Sequence, residues 1–208
     1  MATTTFSGSV RSKGGFTSIS ENSSTGAIST LSSISSTGVS SFDANTLATE
    51  AGTGITGGTG TIYRSSVQRV GGIITTRILI DLTGLRSTAS GDIIGVNGTS
   101  NVCHIGQITA AQNGTILTGS MECFEAPTGG DPDINVHSAT EGTGVEDGAI
   151  SSLTETLLVN AGDATLGSKV YFTAVPAADE FLYLTLGDTT DADYTAGKLF
   201  IELMGYAA

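Results

Sequence analysis

Residues 101–126 have the sequence NVCHIGQITAAQNGTILTGSMECFEA, in which Asn-Gly at 113–114 is a strong short-range hairpin signal. Two runs of strand-forming residues, 102–111 and 115–126, flank this dipeptide. A two-residue turn mixes apolar and charged residues on both faces of the hairpin, whereas a three-residue loop with Gly114 in the left-handed conformation keeps them apart. The sequence therefore predicts a long β-hairpin that is closed by the three-residue loop.

The three-residue loop places Cys103 opposite Cys123 and His104 opposite Glu122. The two cysteines either form a disulfide or are reduced core residues, and the lack of a secretion signal favours the reduced form. The His–Glu pair is interpreted as a cross-strand ion pair on a solvent-facing sheet, worth about 0.2–1 kcal/mol. A catalytic role for His104 requires a nucleophile or a second base, and the sequence identifies neither.

The composition is typical of an all-β protein. Of the 208 residues, 13% are charged, 29 are Gly and none is Trp, and Ser and Thr occur throughout. Such a chain is poor in helix formers and rich in residues that suit strands and turns. Its length fits one domain plus an appendage.

The charge is unevenly distributed along the chain. Residues 1–120 contain five acidic and six basic residues, and residues 121–208 contain fifteen acidic and two basic ones, which together give the net charge of −12. Phosphate contacts require clustered Lys and Arg, so the acidic balance argues against nucleic acid as a partner. The near-neutral N-terminal part is the better candidate for packing against another acidic surface.

We identify no targeting or membrane-spanning segment in the sequence. Residues 1–15 contain no apolar stretch, and no run approaches 18 apolar residues. We therefore expect synthesis in the cytosol and no membrane insertion.

Residues 1–60 are rich in small polar residues, with 26 Ser or Thr and 10 Gly. Their large apolar residues occur singly, which is insufficient for a separate core. Both a disordered tail and an extended arm fit this pattern, and we favour an arm whose apolar side chains bind neighbouring subunits. The expected partner-binding residues are Phe6, Val10, Phe16, Ile19, Ile28, Leu31, Ile34, Val39 and Phe42. The spacing of Ile28, Leu31 and Ile34 also suits a helical turn, although the Ser-rich setting disfavours one.

Residues 52–57, GTGITG, match the glycine spacing of dinucleotide-binding loops. That chemistry requires a strand before the glycines and a helix after them, so that backbone amides face the pyrophosphate. Residues 49–51 are Thr, Glu and Ala, and residues 58–63 are GTGTIY, so neither element is predicted. The segment is interpreted as the end of a linker over residues 1–60, and the folded domain is expected to span residues 61–208.

Alternating apolar residues identify the strands of the folded domain, and the clearest is 73–82, IITTRILIDL. Its apolar face carries Ile74, Ile78, Ile80 and Leu82. Further strands are predicted at 92–96, 134–138, 153–160, 169–175, 181–186 and 198–206. About eight strands separated by turn signals predict an all-β fold, namely a jelly-roll-like β-sandwich that follows an extended N-terminal arm.

Acidic loops are the candidates for a metal site. Asp188, Asp191 and Asp193 lie close together between the last two predicted strands. The loop of residues 127–148 contains five more acids, which are Asp131, Asp133, Glu141, Glu146 and Asp147. Calcium prefers such oxygen ligands. Solvated loop acids are the default interpretation of residues 127–148, and turns in which backbone amides donate to the Asp side chains explain the three clustered aspartates equally well. We therefore expect no cofactor, with calcium at the three clustered aspartates as the alternative.

Residues 169–206 have the sequence KVYFTAVPAADEFLYLTLGDTTDADYTAGKLFIELMGY. Together with the Ser/Thr/Gly-rich head, they resemble small virion structural proteins of tailed bacteriophages, particularly marine ones, in strand lengths, acidic turns and an aromatic strand end at 204–206. The resemblance implies a β-sandwich decoration or cement protein in the virion, docked on the major capsid protein or on neighbouring subunits. It implies no catalytic residue and an oligomer, for which closed symmetry and a trimer are expected.

Two further hypotheses remain beside a virion structural protein. The first is a fibre or attachment jelly roll that binds a carbohydrate or receptor with the help of calcium, in which Tyr63, Tyr183 and Tyr194 stack on sugar rings. The second is an enzyme, but the chain has only two His and no nucleophile elbow or metal-ligand cluster. We therefore expect a protein without enzymatic activity.

Overall fold

The computed structural model describes residues 46–207, together with the backbone of residues 16–21, 28–34 and 40–41. The chain divides into two compact units, Met1–Ala44 and Asn45–Ala208. All sheets in the described residues are antiparallel, which confirms the all-β prediction.

The first unit contains a three-stranded sheet. Its strands, in the order in which they pair, are β1 (Phe16–Glu21), β2 (Ile28–Ile34) and β3 (Ser40–Ser41). The helical turn considered for the segment around Leu31 is wrong, because β2 pairs with a strand on each side. Ser and Thr are weak helix formers, so backbone pairing organises this Ser-rich segment.

The second unit consists of strands joined by short turns. In chain order, its elements are α1 (Thr53–Thr56), β4 (Ile62–Val70), β5 (Ile73–Asp81), β6 (Arg86–Ser87), β7 (Gly106–Gln107), α2 (Ala110–Asn113), β8 (Thr115–Thr128), β9 (Ile134–Ala139), a 3-10 turn (Ile150–Ser152), β10 (Glu155–Val159), β11 (Lys169–Tyr171), β12 (Phe181–Leu186), β13 (Ala192–Asp193) and β14 (Ala196–Tyr206). Five of the strands predicted above correspond to β5, β9, β10, β12 and β14. The one predicted at 169–175 is shortened to β11, and that predicted at 92–96 forms only isolated bridges.

Nine of these strands form two sheets. The five-stranded sheet has the order β11-β8-β14-β5-β4, and the four-stranded sheet has the order β10-β9-β12-β7. The remaining strands, β6 and β13, pair in a short separate ribbon. One continuous hydrophobic core contains residues from both sheets, as in a β-sandwich.

The strand pairing is that of a jelly roll. With the extra edge strand β4 and the short ribbon set aside, the first strand β5 pairs with the last, β14, and the second, β7, pairs with the next to last, β12. Inside these pairs, β8 pairs with β11 and β9 with β10. Such nested pairing arises when one long hairpin is rolled up so that its turns alternate between two sheets. The predicted jelly-roll-like sandwich is therefore confirmed.

The predicted inward faces of the two central strands are also confirmed. In β5, Ile74, Ile78 and Ile80 are fully buried, and in β14 every second residue from Gly197 to Gly205 is buried. Because side chains alternate across a strand, the residues between them lie on the opposite side of the five-stranded sheet.

The predicted hairpin of residues 102–111 and 115–126 is wrong. Residues 105–107 lie beside β12 in the four-stranded sheet, where the Ile105 amide donates to the Leu182 carbonyl at 2.7 Å. In contrast, β8 lies in the five-stranded sheet. Successive strands of a jelly roll cross from one sheet to the other, so both apolar runs reach the same core without pairing with each other.

Asn113 and Gly114 end a helical turn instead of closing a hairpin. Thr109 precedes α2, and its hydroxyl accepts a hydrogen bond from the Gln112 amide. Gly114 follows with a φ of 68°, and its amide donates to the Ala110 carbonyl. The positive φ that glycine adopts without strain is therefore used in a helix C-cap.

The folded unit begins at Asn45 and not at residue 61. Leu47 and Ile55 are buried in its core. The linker interpretation of residues 52–57 is also wrong, because a Cβ at Gly54 would lie only 2.3 Å from the Cys103 Sγ atom. These glycines therefore permit close packing of two backbone segments, and their role is not flexibility.

Candidate interaction surface

Two of the three aspartates that were candidates for calcium, Asp191 and Asp193, face a cation of the protein itself. The Arg86 guanidinium lies 2.7 Å from an Asp191 carboxylate oxygen and 3.0 Å from one of Asp193. Its hydrogen bond to Asp193 raises the pKa of Arg86. Asp188 accepts a hydrogen bond from the Thr189 hydroxyl. Within the described residues, no group of three or more His, Cys, Asp or Glu has the arrangement of a metal site.

The acids of the loop at 127–148 mainly accept hydrogen bonds from backbone amides. Asp131 accepts from the amides of Asp133 and Thr190 at 2.9 and 3.2 Å. Glu141 and Glu146 accept in the same way, from the amides of Thr154 and Gly98. Burial, followed by the charges of Asp131, Asp163 and Asp188, raises the pKa of Asp133. Of these hydrogen bonds, only the bond from Asp133 to Asp131 is local turn chemistry, and the bonds from Thr154, Gly98 and Thr190 join the loop to distant parts of the chain.

The predicted pairs of Cys103 with Cys123 and of His104 with Glu122 do not form. Both thiols are free and buried, one beside each sheet. Burial raises the pKa of Cys103 to about 12, so its thiolate is not accessible at neutral pH. His104 packs against the rings of Phe181 and Tyr183, and Glu122 lies 3.4 Å from Lys169 instead.

The sequence analysis did not predict the pair that the other histidine, His137, forms with Glu155. His137 Nδ1 lies 2.7 Å from Glu155 Oε2, and the His137 side chain is buried between β10 and β12. The two residues are 18 positions apart, and no local pattern marks their pairing. The contact joins the neighbouring strands β9 and β10.

The three tyrosines considered for sugar stacking are buried. The hydroxyls of Tyr63, Tyr183 and Tyr194 donate to backbone carbonyls at distances between 2.6 and 2.9 Å. Buried tyrosines with satisfied hydroxyls are core residues, and their ring faces are not available to a ligand. The sequence-based hypothesis of a tyrosine platform is therefore wrong.

The solvent-facing side of the five-stranded sheet is the remaining candidate for a functional surface. We call this side, which carries Lys198, Phe200, Glu202, Met204 and Tyr206 of β14, the outer face. Of the eleven exposed large apolar side chains in the described residues, seven lie on it. They are Ile62, Val70, Ile73, Phe124, Tyr171, Met204 and Tyr206.

Ion pairs cross the outer face from strand to strand. Arg77 Nε lies 2.8 Å from Glu202 Oε2, and Lys169 Nζ lies 3.4 Å from Glu122 Oε2. Lys198 contacts Glu125 and, at 3.4 Å, Asp81. Such exposed pairs are each worth about 0–1 kcal/mol, so they neutralise the face more than they stabilise the fold.

Aromatic rings lie between these ion pairs. Phe124 stacks on Phe200 with 5.1 Å between ring centroids, and Lys169 lies 5.9 Å from the centre of the Tyr171 ring. Shallow depressions flank this region, and one of them is lined by Ser120, Tyr171 and Met204. Aromatic residues and Met are enriched in protein–protein interfaces, so the outer face has the composition of an interaction surface.

Comparisons with known proteins give no further guide to function. No protein-family model matches the chain, and neither a curated protein nor a solved structure is similar to it. In the part of the chain that the structure describes, no helix has the length and apolar character needed to cross a membrane.

Proposed function

We propose that this protein is a non-enzymatic structural protein of a bacteriophage virion, which decorates or cements the capsid shell through its N-terminal unit and its β-sandwich. The observation that carries the proposal is the division of the chain into a Ser/Thr/Gly-rich unit, residues 1–44, and a jelly roll with its own core. A segment with scattered apolar residues is suited to bind grooves or sheet edges of neighbouring subunits.

The proposal retains the nine residues of this segment that the sequence predicts to bind a partner. Phe16, Ile19, Ile28, Leu31 and Ile34 lie in β1 and β2. The other four expected partner-binding residues, Phe6, Val10, Val39 and Phe42, lie outside the described residues.

The environments of the reactive side chains support a structural role over a catalytic one. Within residues 46–207, both cysteines are buried, and the two histidines are only 6% and 8% exposed. A nucleophile or general base must reach its substrate, so the burial of these four side chains supports the proposal of a non-enzymatic protein.

The fold is compatible with the proposed function but does not select that function from others. Jelly rolls occur in viral capsid proteins and in lectins, and a fold shared by several functions does not select one of them. The alternative of a calcium-dependent carbohydrate-binding fibre loses its support, because its tyrosines are buried and Arg86 lies against Asp191 and Asp193.

The test is to rebind the purified protein to phage particles that lack it. We compare the full chain with a variant that lacks residues 2–44, and we measure occupancy per particle. The deletion ends there because Leu47 belongs to the core of the sandwich. We expect the full chain to bind and the shortened chain to bind at least tenfold more weakly.

Two results contradict the proposal in different ways. Equal occupancy by both chains shows that residues 2–44 do not anchor the protein. Failure of the folded full chain to bind any particle contradicts the virion role itself. Urea unfolding of both chains is the control that the sandwich is intact.

A further inference from the structure

We propose that the outer face of the five-stranded sheet packs against the outer face of a second copy of this chain. The pair forms in solution without a capsid, so this inference does not rest on the proposed virion function. Its support comes from charge, composition and size.

The outer face is electrically neutral on a strongly acidic unit. Residues 46–207 contain 18 acidic and 6 basic residues, of which the outer face holds four of each sign. The rest of this unit therefore carries fourteen acidic residues against only Arg69 and Arg86. Two copies repel each other in most orientations, and contact through the outer faces avoids that repulsion.

The charges are also distributed so that the face complements itself. On one side of β14, strands β8 and β11 carry Glu122, Glu125 and Lys169, which leaves one negative charge in excess. On the other side, β5 and β4 carry Arg77, Asp81 and Arg64, which leaves one positive charge in excess. A two-fold axis along β14 places each side on its opposite in the second copy. Such isologous contact is the commonest symmetry of protein dimers.

The size of the face is near that of a stable interface. Strands lie about 4.8 Å apart and rise about 3.3 Å per residue, so four long strands and the short β11 cover roughly 700 Å². Standard interfaces bury about 800 Å² per partner, and side chains and flanking turns enlarge the flat estimate. Tyr171, Met204 and Phe124, which are 66%, 41% and 47% exposed, supply the apolar contacts.

The test uses the full-length chain and two glutamate variants of matched charge. Sedimentation equilibrium over micromolar to millimolar concentrations gives the mass relative to the 20.9 kDa chain. We expect a dimer, and we expect Tyr171→Glu with Met204→Glu to raise its dissociation constant at least tenfold. In the control variant, Leu157→Glu with Val175→Glu, two residues that are each 39% exposed away from the outer face are changed. We expect that control to dimerise as the unchanged chain does.

Hydroxyl-radical labelling of Met204 provides a second readout that does not depend on variants. We expect rapid oxidation at concentrations where the chain is monomeric and protection where it is dimeric. Three outcomes overturn the proposal: a monomer at every concentration, a trimer, or a dimer that the outer-face variant leaves unchanged. A monomer in which Met204 is always protected shows that the chain's own residues cover the face, and this also overturns pairing with a second copy.

Discussion

The Cys103 thiol occupies space that two glycines leave open. A Cβ at Gly95 would lie 2.3 Å from Cys103 Sγ and 3.0 Å from the Glu146 Cβ atom, and a Cβ at Gly54 would lie equally close to the sulfur. Neither glycine adopts a positive φ. Their small size, and not their conformational freedom, is therefore what this part of the core requires.

We expect Gly95→Ala to lower the free energy of unfolding by about 1–3 kcal/mol, because it overpacks the core around Cys103. In a background with Cys103→Ala, the same change is expected to cost measurably less, since the sulfur is gone. Urea unfolding of the four chains of this double-mutant cycle measures the coupling. In the control cycle, Cys123→Ala takes the place of Cys103→Ala. Cys123 lies in β8 of the five-stranded sheet, so the costs of Gly95→Ala and Cys123→Ala are expected to be additive. Equal cost of Gly95→Ala in all backgrounds contradicts the packing contact.

Within residues 46–207, His104 is a buried imidazole without a counter-ion. Its ring contacts those of Phe181 and Tyr183, and within the described residues its Nδ1 atom has no hydrogen-bond partner. Burial therefore lowers its pKa below the ordinary value of 6.5. The folded chain holds the imidazole neutral, whereas the unfolded chain takes up a proton near pH 6.5.

This difference makes stability depend on pH in one direction. Above pH 6.5 both states are neutral at this position and the contribution is constant. As the pH falls below 6.5, protonation of the unfolded chain lowers the free energy of unfolding by at most about 1.4 kcal/mol per pH unit. We expect His104→Leu to remove this component, measured as a shallower decline between pH 6.5 and pH 5 in urea unfolding. An identical pH dependence in both chains contradicts a lowered pKa.

At the level of secondary-structure elements, the Asn113-Gly114 dipeptide is compatible with two structures, a hairpin turn and the end of a helix. Asn-Gly favours a hairpin because both residues tolerate a positive φ, and only Gly114 uses that property here. The Asn113 side chain is fully buried, accepting a hydrogen bond from the Thr109 amide and donating one to the Thr76 hydroxyl, each at 2.8 Å. It thereby joins α2 to β5.

We expect Asn113→Ala to lower the free energy of unfolding by about 2–3 kcal/mol, because it leaves the half-buried Thr109 amide and the buried Thr76 hydroxyl without these partners. Asn101→Ala, at an exposed position, is the control and is expected to change stability by less than about 0.5 kcal/mol. Thermal and urea unfolding measure both. If Asn113→Ala is no more costly than the control, the link between α2 and β5 does not stabilise the fold.

Strand identity was predicted better than strand pairing. The alternation in β5 and β14 is a local signal, and both inward faces were predicted correctly. The long strand β8 was also found, but it was given the wrong neighbour, because its partners β11 and β14 come much later in the chain. The edge strand β4 was missed as a strand, since its mixture of Ser, Arg and Gln has no continuous apolar alternation.

For the molecule as a whole, the boundary between the two units can be tested by truncation. Leu47 is 2% exposed and Ile55 is fully buried, although both belong to the segment that composition assigns to the linker. Gly52 and Gly54 donate to the carbonyls of His104 and Val102, so the segment is also held by backbone hydrogen bonds.

We expect deletion of residues 2–44 to leave the unfolding midpoint of the sandwich close to that of the full chain. Deletion of residues 2–60 is expected to destabilise it strongly, because loss of a buried Leu or Ile costs about 2–5 kcal/mol each. Urea unfolding monitored by tyrosine fluorescence compares the two shortened chains. Equal midpoints contradict the assignment of Leu47 and Ile55 to the core.

The all-β class, the jelly-roll-like sandwich and the inward faces of the central strands followed from composition and from a two-residue apolar period, which are properties of neighbouring residues. The separation of Cys103 from Cys123 and the role of Asn113 became evident only in the folded chain. The same holds for the place of residues 46–60 in the core and for the neutral outer face. The reason is that a jelly roll pairs its first strand with its last: Arg77 meets Glu202 across 125 positions. Local periodicity tells which way a side chain points, but it does not tell which distant strand lies beside it.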